Sequence, residues 1–267
     1  MVFSETANTT TKLRVVFDGG NGRPKNISLN EELASGPPLQ NDLPSIITRW
    51  RCHKIAFTDD LEKMFRQVMV CDEHQKFQCI LWRDDVRKNI SIYKLRTVTY
   101  GTTSASYLAI RVLRQLARDE NSEFPLASNI FLNDSYVDDI TSGTDSITDT
   151  IELHQQLSNL SKRGGFNLRK WNSNSNELMN VIPPENRDNA DAYKLKDENF
   201  VKALGLYWEI SEDHLCFKLN FSFASTVTKG SMLSDAAKLF DPLGWLAPVT
   251  IVAKLCFNVC GKKILIS

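Results

Sequence analysis

An α+β fold, with an antiparallel sheet covered by helices, is what this 267-residue sequence predicts. Three observations carry it. β-branched and aromatic runs at 54–58, 76–83 and 90–98 are bounded by turn-forming or charged residues. Ala105, Leu108, Ala109, Val112 and Leu116 recur at helical spacing. Ser146-x-x-Asp149 then opens a second periodic stretch through Ile147, Ile151, His154, Leu157 and Leu160, with Gly164-Gly165 as its stop. Strands and helices in the order βαββαβ imply one sheet layer beneath helices.

Taken in order, K-L-R-V-V-F-D (12–18) reads as a strand ended by Gly19-Gly20, and S-L-N-E-E-L opens a short helix at Ser28. G-P-P-L-Q (36–40) is extended or turn, because each proline restricts the residue before it. Residues 43–51 fit a helix ending near Arg51, and K-I-A-F-T (54–58) a short buried strand. The runs 76–83 and 90–98, joined by D-D-V-R-K, read as a hairpin. Residues 129–143, N-I-F-L-N-D-S-Y-V-D-D-I-T-S-G, read as strand around an acidic hairpin tip. Residues 173–200 are polar with prolines, and F-V-K-A-L-G-L-Y-W-E-I with L-C-F-K-L suggests a last pair of strands.

Composition is that of an ordinary globular protein, 42% hydrophobic and 24% charged. A formal net charge of zero gives the whole molecule no bias toward nucleic acid, although K-R-G-G-F-N-L-R-K (162–170) and K-L-R (12–14) allow a local basic groove. None of the six cysteines forms a C-x-x-C pair and the four histidines are scattered, so structural zinc is not indicated. With no signal-peptide pattern at the start, the thiols read as reduced and the chain as intracellular. The apolar stretch 242–260 is interrupted by Pro248 and Lys254, which favours a packed core segment over a membrane span. The chain stops in an uncapped K-K-I-L-I-S, which reads as truncation.

Chemistry is concentrated in two acidic pairs, Asp59-Asp60 after K-I-A-F-T and Asp138-Asp139 after S-Y-V, both expected at strand ends. Adjacent carboxylates repel, and strands disfavour Asp. On spacing alone they are two solvated turns. If the sheet brings them together, they form a hard-oxygen cage suited to Mg²⁺, and two such ions about 3.5–4 Å apart serve in-line phosphoryl displacement. A small-molecule phosphohydrolase would need histidines or further acidic ligands that are missing here.

At this point the sequence resembles the reverse transcriptase of Bel/Pao-type LTR retrotransposons. Y-V-D-D (136–139) is similar to that family's polymerase motif, and D-L-E-K-M-F-R-Q-V (60–68) to the catalytic-aspartate motif before it. V-T-Y-G-T-T-S-A-S-Y-L-A (98–109) resembles the nucleotide-binding glycine turn and its helix. K-L-R-V-V-F-D looks like the fingers strand, and S-L-N-E-E-L-A-S-G-P-P-L (28–39) like its link to the palm. G-G-F-N-L-R-K-W (164–171), L-G-L-Y-W (204–208) and L-F-D-P-L-G-W-L-A-P-V (239–249) match later blocks, in collinear order from about residue 12 to residue 255. Two departures stand out: Ser106 where a proline is usual, and the polar Asn133-Asp134-Ser135 where apolar residues are usual.

The resemblance implies a right-hand polymerase, with fingers and palm over 1–220 and the start of an incomplete thumb over 221–267. It implies an RNA-directed DNA polymerase using two Mg²⁺ ions, with Mn²⁺ as a substitute. Its partners would be a primed RNA or DNA template and deoxynucleoside triphosphates, with no membrane. It further implies a cytoplasmic setting, including virus-like particles, and a longer Pol polyprotein around this chain. Asp60 and Asp138 would hold the metals, Asp139 would support them, and the Leu61 carbonyl would add an oxygen ligand. Of the two adjacent carboxylates, Asp138 is the one expected to face the metals. Phe65 would lie under the incoming sugar and collide with a ribose 2′-OH. Lys12 and Arg14 would clamp the triphosphate, Tyr100 and Gly101 would admit the nucleotide close to the backbone, and Lys170 would give a proton to pyrophosphate. The alternative reading is a catalytically inactive transposon-derived relic with residual nucleic-acid binding.

Overall fold

The computed structural model describes residues 17–20, 27–188, 200–217, 228, 230–231, 234, 238–252 and 255. In chain order the elements are α1 (Leu29–Glu32), α2 (Leu43–Trp50), β1 (Ile55–Leu61), α3 (Met64–Gln67), α4 (Asp72–Gln75), β2 (Cys79–Trp82), β3 (Ser91–Lys94) and α5 (Ala105–Asp119). They continue with α6 (Pro125–Asn133), β4 (Ser135–Tyr136), β5 (Asp139–Thr144), α7 (Ile147–Arg163), β6 (Leu168–Ser173), α8 (Asn176–Val181), β7 (Phe200–Ala203), β8 (Leu206–Glu209) and β9 (His214–Cys216). The fold is α+β with antiparallel sheets.

Local chemistry explains most boundaries. Ser28 and Glu31 form a reciprocal capping box on α1. Asp42 caps α2 by accepting from Ser45 N, with Pro44 in the first turn. Ser146 Oγ accepts from Asp149 N to start α7, and Lys162 and Arg163 lie in its last turn, where the dipole favours cations. The expected strand at 12–18 lies outside the described residues except for Phe17 and Asp18, which are irregular.

Four strands form the main sheet, in the order β4-β5-β1-β6, with β1 central. Alternation along β1 sends its residues to two faces. Phe57 and Leu61 join the large core with Ile140, Leu113, Phe131, Leu153, Leu157 and Trp171, under α5, α6 and α7. On the opposite face, Ala56 meets Trp50, Ala203 and Trp208, so the three-stranded sheet β7-β8-β9 and α2 form the second layer. Trp50 and Trp208 meet edge to face with centroids 5.1 Å apart. Arg51 reinforces that seam through Asp213 at 2.8 Å, and the same carboxylate accepts from Trp208 Nε1 at 2.9 Å.

The structure departs from the expectations at three places. Residues 129–133 are the end of α6 rather than a strand; Pro125 at its first turn starts a helix that packs between α5 and α7. The expected last pair of strands is three, because Leu204 and Gly205, both at positive φ, form a two-residue hairpin loop between β7 and β8. Asp59 and Asp60 lie inside β1, not beyond its end. Among the described residues no helix is long and apolar enough to cross a membrane, and Cys52, Cys71, Cys79 and Cys216 are free thiols.

Asp59 is the anomaly of this sheet. It is 3% exposed and pairs across β1–β5 with Ile140, on the same side as Phe57 and Leu61. Neither of its carboxyl oxygens has a hydrogen-bond partner among the described residues. Burial, then the charges of Asp60 and Asp139, push its carboxyl well above the usual range. An unsatisfied buried polar group costs about 1–3 kcal/mol. Asp59→Val, close in volume and without the orphaned carboxyl, is therefore expected to raise the melting temperature by about 2–5 °C. Thermal denaturation of the two proteins checks this, and an unchanged or lower midpoint would contradict it.

Candidate active site

The acidic residues meet through strand register. β1 and β5 run antiparallel with Asp60 opposite Asp139. β4 and β5 form a hairpin in which Tyr136 pairs with Asp139, so Val137 and Asp138 are its two-residue loop. A tight loop of this kind needs positive φ, and Val137 supplies it at φ 56°. A β-branched residue is strained there. Two hydrogen bonds hold the loop: Val137 N donates to Gln40 Oε1 at 3.1 Å, and Leu61 N donates to the Asp138 carbonyl at 2.8 Å.

The polar Asn133-Asp134-Ser135 stretch has a mechanical role. Arg49, on α2, donates from Nε to Asp134 Oδ1 at 2.7 Å and from its terminal nitrogen to the Asn133 carbonyl. Ser142 Oγ donates to Asp134 Oδ2 at 3.3 Å, and Asn41 Nδ2 donates to the Asn133 carbonyl at 3.0 Å. Ser135 Oγ donates back to the Phe131 carbonyl at 2.9 Å. These bonds join the end of α6 to α2 and set the angle at which the chain enters the acidic hairpin. Asp134 is buried and paired, so its charge is spent on Arg49 rather than added to the site.

A third strand brings the counter-charge. The register of β6 against β1 shifts between Thr58 and Asp60, placing an extra residue on β6. Lys170 lies in that bulge at φ 61°, a left-handed conformation for a non-glycine residue. Because of the bulge, Leu168 and Trp171 both reach the main core while Lys170 stays on the acidic face. Its Nζ donates to Asp60 Oδ2 at 2.8 Å. Asp60, Asp139 and Lys170 line a cavity of about 90 Å³, closed by Thr141, Asn172 and residues 201–204.

The electrostatics follow from this crowding. Burial is the largest cause raising Asp138, with repulsion from Asp60 adding to it and Lys170 opposing. Burial, then the charges of Asp138 and Asp60, lifts Asp139 to about 6. Burial works against the Lys170 ammonium, but the hydrogen bond to Asp60 and the charges of Asp60, Asp138 and Asp139 outweigh it and hold its pKa above the ordinary value.

The other expected site residues fall as follows. Asp138 stands in the loop, whereas Asp139 is the register partner of Asp60 and shares its cavity. Leu61 is fully buried at the end of β1. Phe65, in α3, is half-buried against the main core. Tyr100 meets Phe17 edge-on at 5.4 Å, and Arg66 donates to its hydroxyl at 3.4 Å while lying over its ring. Gly101 has φ 91°, and a Cβ there would stand 2.1 Å from the Phe17 carbonyl oxygen. The close approach this glycine permits is therefore to the chain's own backbone. Lys12 and Arg14 lie outside the described residues. Gln40, Arg49 and Asp134 were not foreseen, since their bonds span 84–97 positions in sequence.

Among the described residues no three Asp, Glu, His or Cys side chains form a group that could hold a metal ion as they stand. The donor set nonetheless suits Mg²⁺ in kind: carboxylate oxygens, negatively charged, crowded and partly buried. The position beside Asp60 Oδ2 is taken by an ammonium, which serves the same electrostatic need.

A pH experiment tests this crowding. A carboxyl whose folded pKa is raised contributes stability that is complete below its unfolded pKa of about 3.9 and lost as pH climbs through the folded value. For Asp139 that window runs from about 4 to about 6. In metal-free buffer, Asp139→Asn should gain stability relative to the parent protein across this window and hold a constant difference above it. Denaturant unfolding at several pH values reads the difference, and a flat one would show that Asp139 titrates normally. Comparison with protein-family models and with curated proteins finds no match to this chain.

Proposed function

We propose that this chain is the fingers and palm of a reverse transcriptase, extending a primer 3′-OH on an RNA or DNA template with deoxynucleoside triphosphates. One observation carries the reading: Asp60 and the Tyr136-Val137-Asp138-Asp139 hairpin, 76 positions apart at their nearest in sequence, stand on adjacent strands with Asp60 opposite Asp139 and Lys170 bonded to Asp60. Surface acidic turns would have no reason to converge, to be partly buried or to carry a strained loop. The collinear resemblance to Bel/Pao-type elements supplies the reaction class, with the sheet as palm and β2–β3 as part of the fingers.

Asp60, Asp138 and Asp139 would hold Mg²⁺, or Mn²⁺ in its place, with the Leu61 carbonyl as a further oxygen. Bound there, the metal supplies charge to the attacking hydroxyl and the leaving phosphate oxygens. The chain's own groups do the rest. Gln40 and the Arg49–Asp134 pair keep the acidic loop aimed. Lys170 Nζ, kept protonated by three carboxylates, carries the proton that a departing pyrophosphate oxygen needs. Phe65 would bound the sugar, Tyr100 and Gly101 the nucleotide, and Lys12 and Arg14 the triphosphate.

A second reading, a transposon-derived chain that binds nucleic acid without polymerising, is favoured by the ammonium already seated on Asp60. Primer extension on an RNA template with Mg²⁺ separates the two. The parent protein should incorporate nucleotide, and Asp138→Asn should lower the rate by about 10²-fold or more, as expected when a holder of the charge-stabilising metal is lost. Equal background incorporation by both would sink the polymerase reading and leave the second.

A further inference from the structure

We propose that the β2–β3 hairpin is a stacking platform for single-stranded nucleic acid, separate from the acidic centre. Among the described residues its two strands pair only with each other. It joins the body through a bridge between Met69 and Thr97 and through backbone bonds Val70 to Arg96 and Val98 to Val68. The register puts Ile80, Trp82, Ser91 and Tyr93 on one face. Trp82 is 53% exposed and Tyr93 50%, on diagonal positions, and Phe77 at the root is 58% exposed. Large aromatic rings left this open in a protein that buries Trp50, Trp171 and Trp208 completely are not surplus core.

Charge selects the occupant. Residues 76–96 carry six basic side chains against two acidic ones, in a chain of zero formal charge. Asp85 is taken by Arg87, and Asp84 by Lys88 and the Trp82 indole, whose Nε1 donates to it at 2.9 Å. Arg83, Lys94 and Arg96 are exposed and form no salt bridge among the described residues. Lys76 lies over the Phe77 ring at 5.2 Å. A second copy of this hairpin would bring the same positive charge and be repelled. A strand of nucleotides offers what both features want: phosphates for the guanidinium and ammonium groups, and flat bases for Trp82 and Tyr93. Unpaired strands fit better than duplex, whose bases already stack on each other. The proposal does not depend on polymerisation, because no carboxylate of the acidic centre takes part.

Fluorescence anisotropy with labelled oligo-dT on the full chain, over a range of salt concentrations, tests it. Trp82→Ala with Tyr93→Ala should weaken binding about tenfold or more and leave the salt dependence unchanged. Trp82→Phe, which keeps a ring, should restore most of the affinity lost on Trp82→Ala. Arg83→Ala, Lys94→Ala and Arg96→Ala together should reduce the slope of log affinity against log salt by about 2. Heparin, a polyanion without bases, should respond to the charge variant and not to the aromatic one. Unchanged melting temperatures would establish that these surface variants fold. Oligonucleotide binding unaltered by both sets overturns the proposal. So does concentration-dependent self-association, seen by sedimentation, that the aromatic variant abolishes while oligonucleotide binding persists. Binding is read without incorporation, so a chain that fails to extend a primer still tests the platform.

Discussion

The antiparallel register of β1 against β5 governs the chemistry of this molecule, because it sets Asp60 opposite Asp139 while the hairpin loop holds Asp138 beside them. Two unit charges about 4 Å apart at an effective dielectric near 20 interact by about 4 kcal/mol, equivalent to about three pKa units. Burial is the largest cause of the rise of Asp139 to about 6, and repulsion from Asp138 and Asp60 adds to it. A sheet that accepts such repulsion must find a compensating cation. In this structure the cation is Lys170, and the β-bulge that turns its side chain to Asp60 follows from the same need. A shift of one residue in β5 would reverse its faces, carrying Asp139 toward the core and Ile140 away from it.

Holding that register requires support from elsewhere in the chain. Val137 and Lys170 both occupy left-handed backbone conformations that their side chains disfavour. Such strain persists only where neighbours over-determine it. For Val137 they are Gln40 and the backbone of Leu61; for Lys170 they are Leu168 and Trp171, anchored in the core on either side of the bulge. Arg49 links the hairpin's approach to α2, whose Ile46, Ile47 and Trp50 are fully buried. The acidic loop thus inherits the rigidity of two hydrophobic layers, with Val137 itself packed against the main core.

Local signals in the sequence were sufficient for the elements they control. The apolar stripe of α5, the Ser146 cap of α7, the capping box at Ser28 and the β2–β3 hairpin all depend on neighbours within a few positions. The helix α6 was missed because Ile130 and Phe131 suit a strand as well as a helix, although Pro125 at its first turn was a readable start. Asp60, Asp138 and Asp139 were legible as a motif. The Lys170–Asp60 bond was not, since it spans 110 positions and depends on a bulge that only the paired strands define. The N-D-S stretch looked like a flaw near the site; its partners Arg49, Asn41 and Ser142 make it a brace. Asp59 remains a carboxyl with no hydrogen-bond partner among the described residues.

Zero net charge conceals two opposed fields. The β2–β3 hairpin concentrates basic side chains around open aromatic rings, and the β1–β5 register concentrates carboxylates around the Lys170 ammonium. A polyanion approaching this surface is drawn to the hairpin and repelled at the acidic centre until cations gather there. Lys170 offsets only one of the crowded charges, so the centre stays inhospitable to phosphate on its own. Under the proposed reading, nucleic acid and divalent cations would favour each other at this centre by linkage, because each lowers the electrostatic cost of bringing the other.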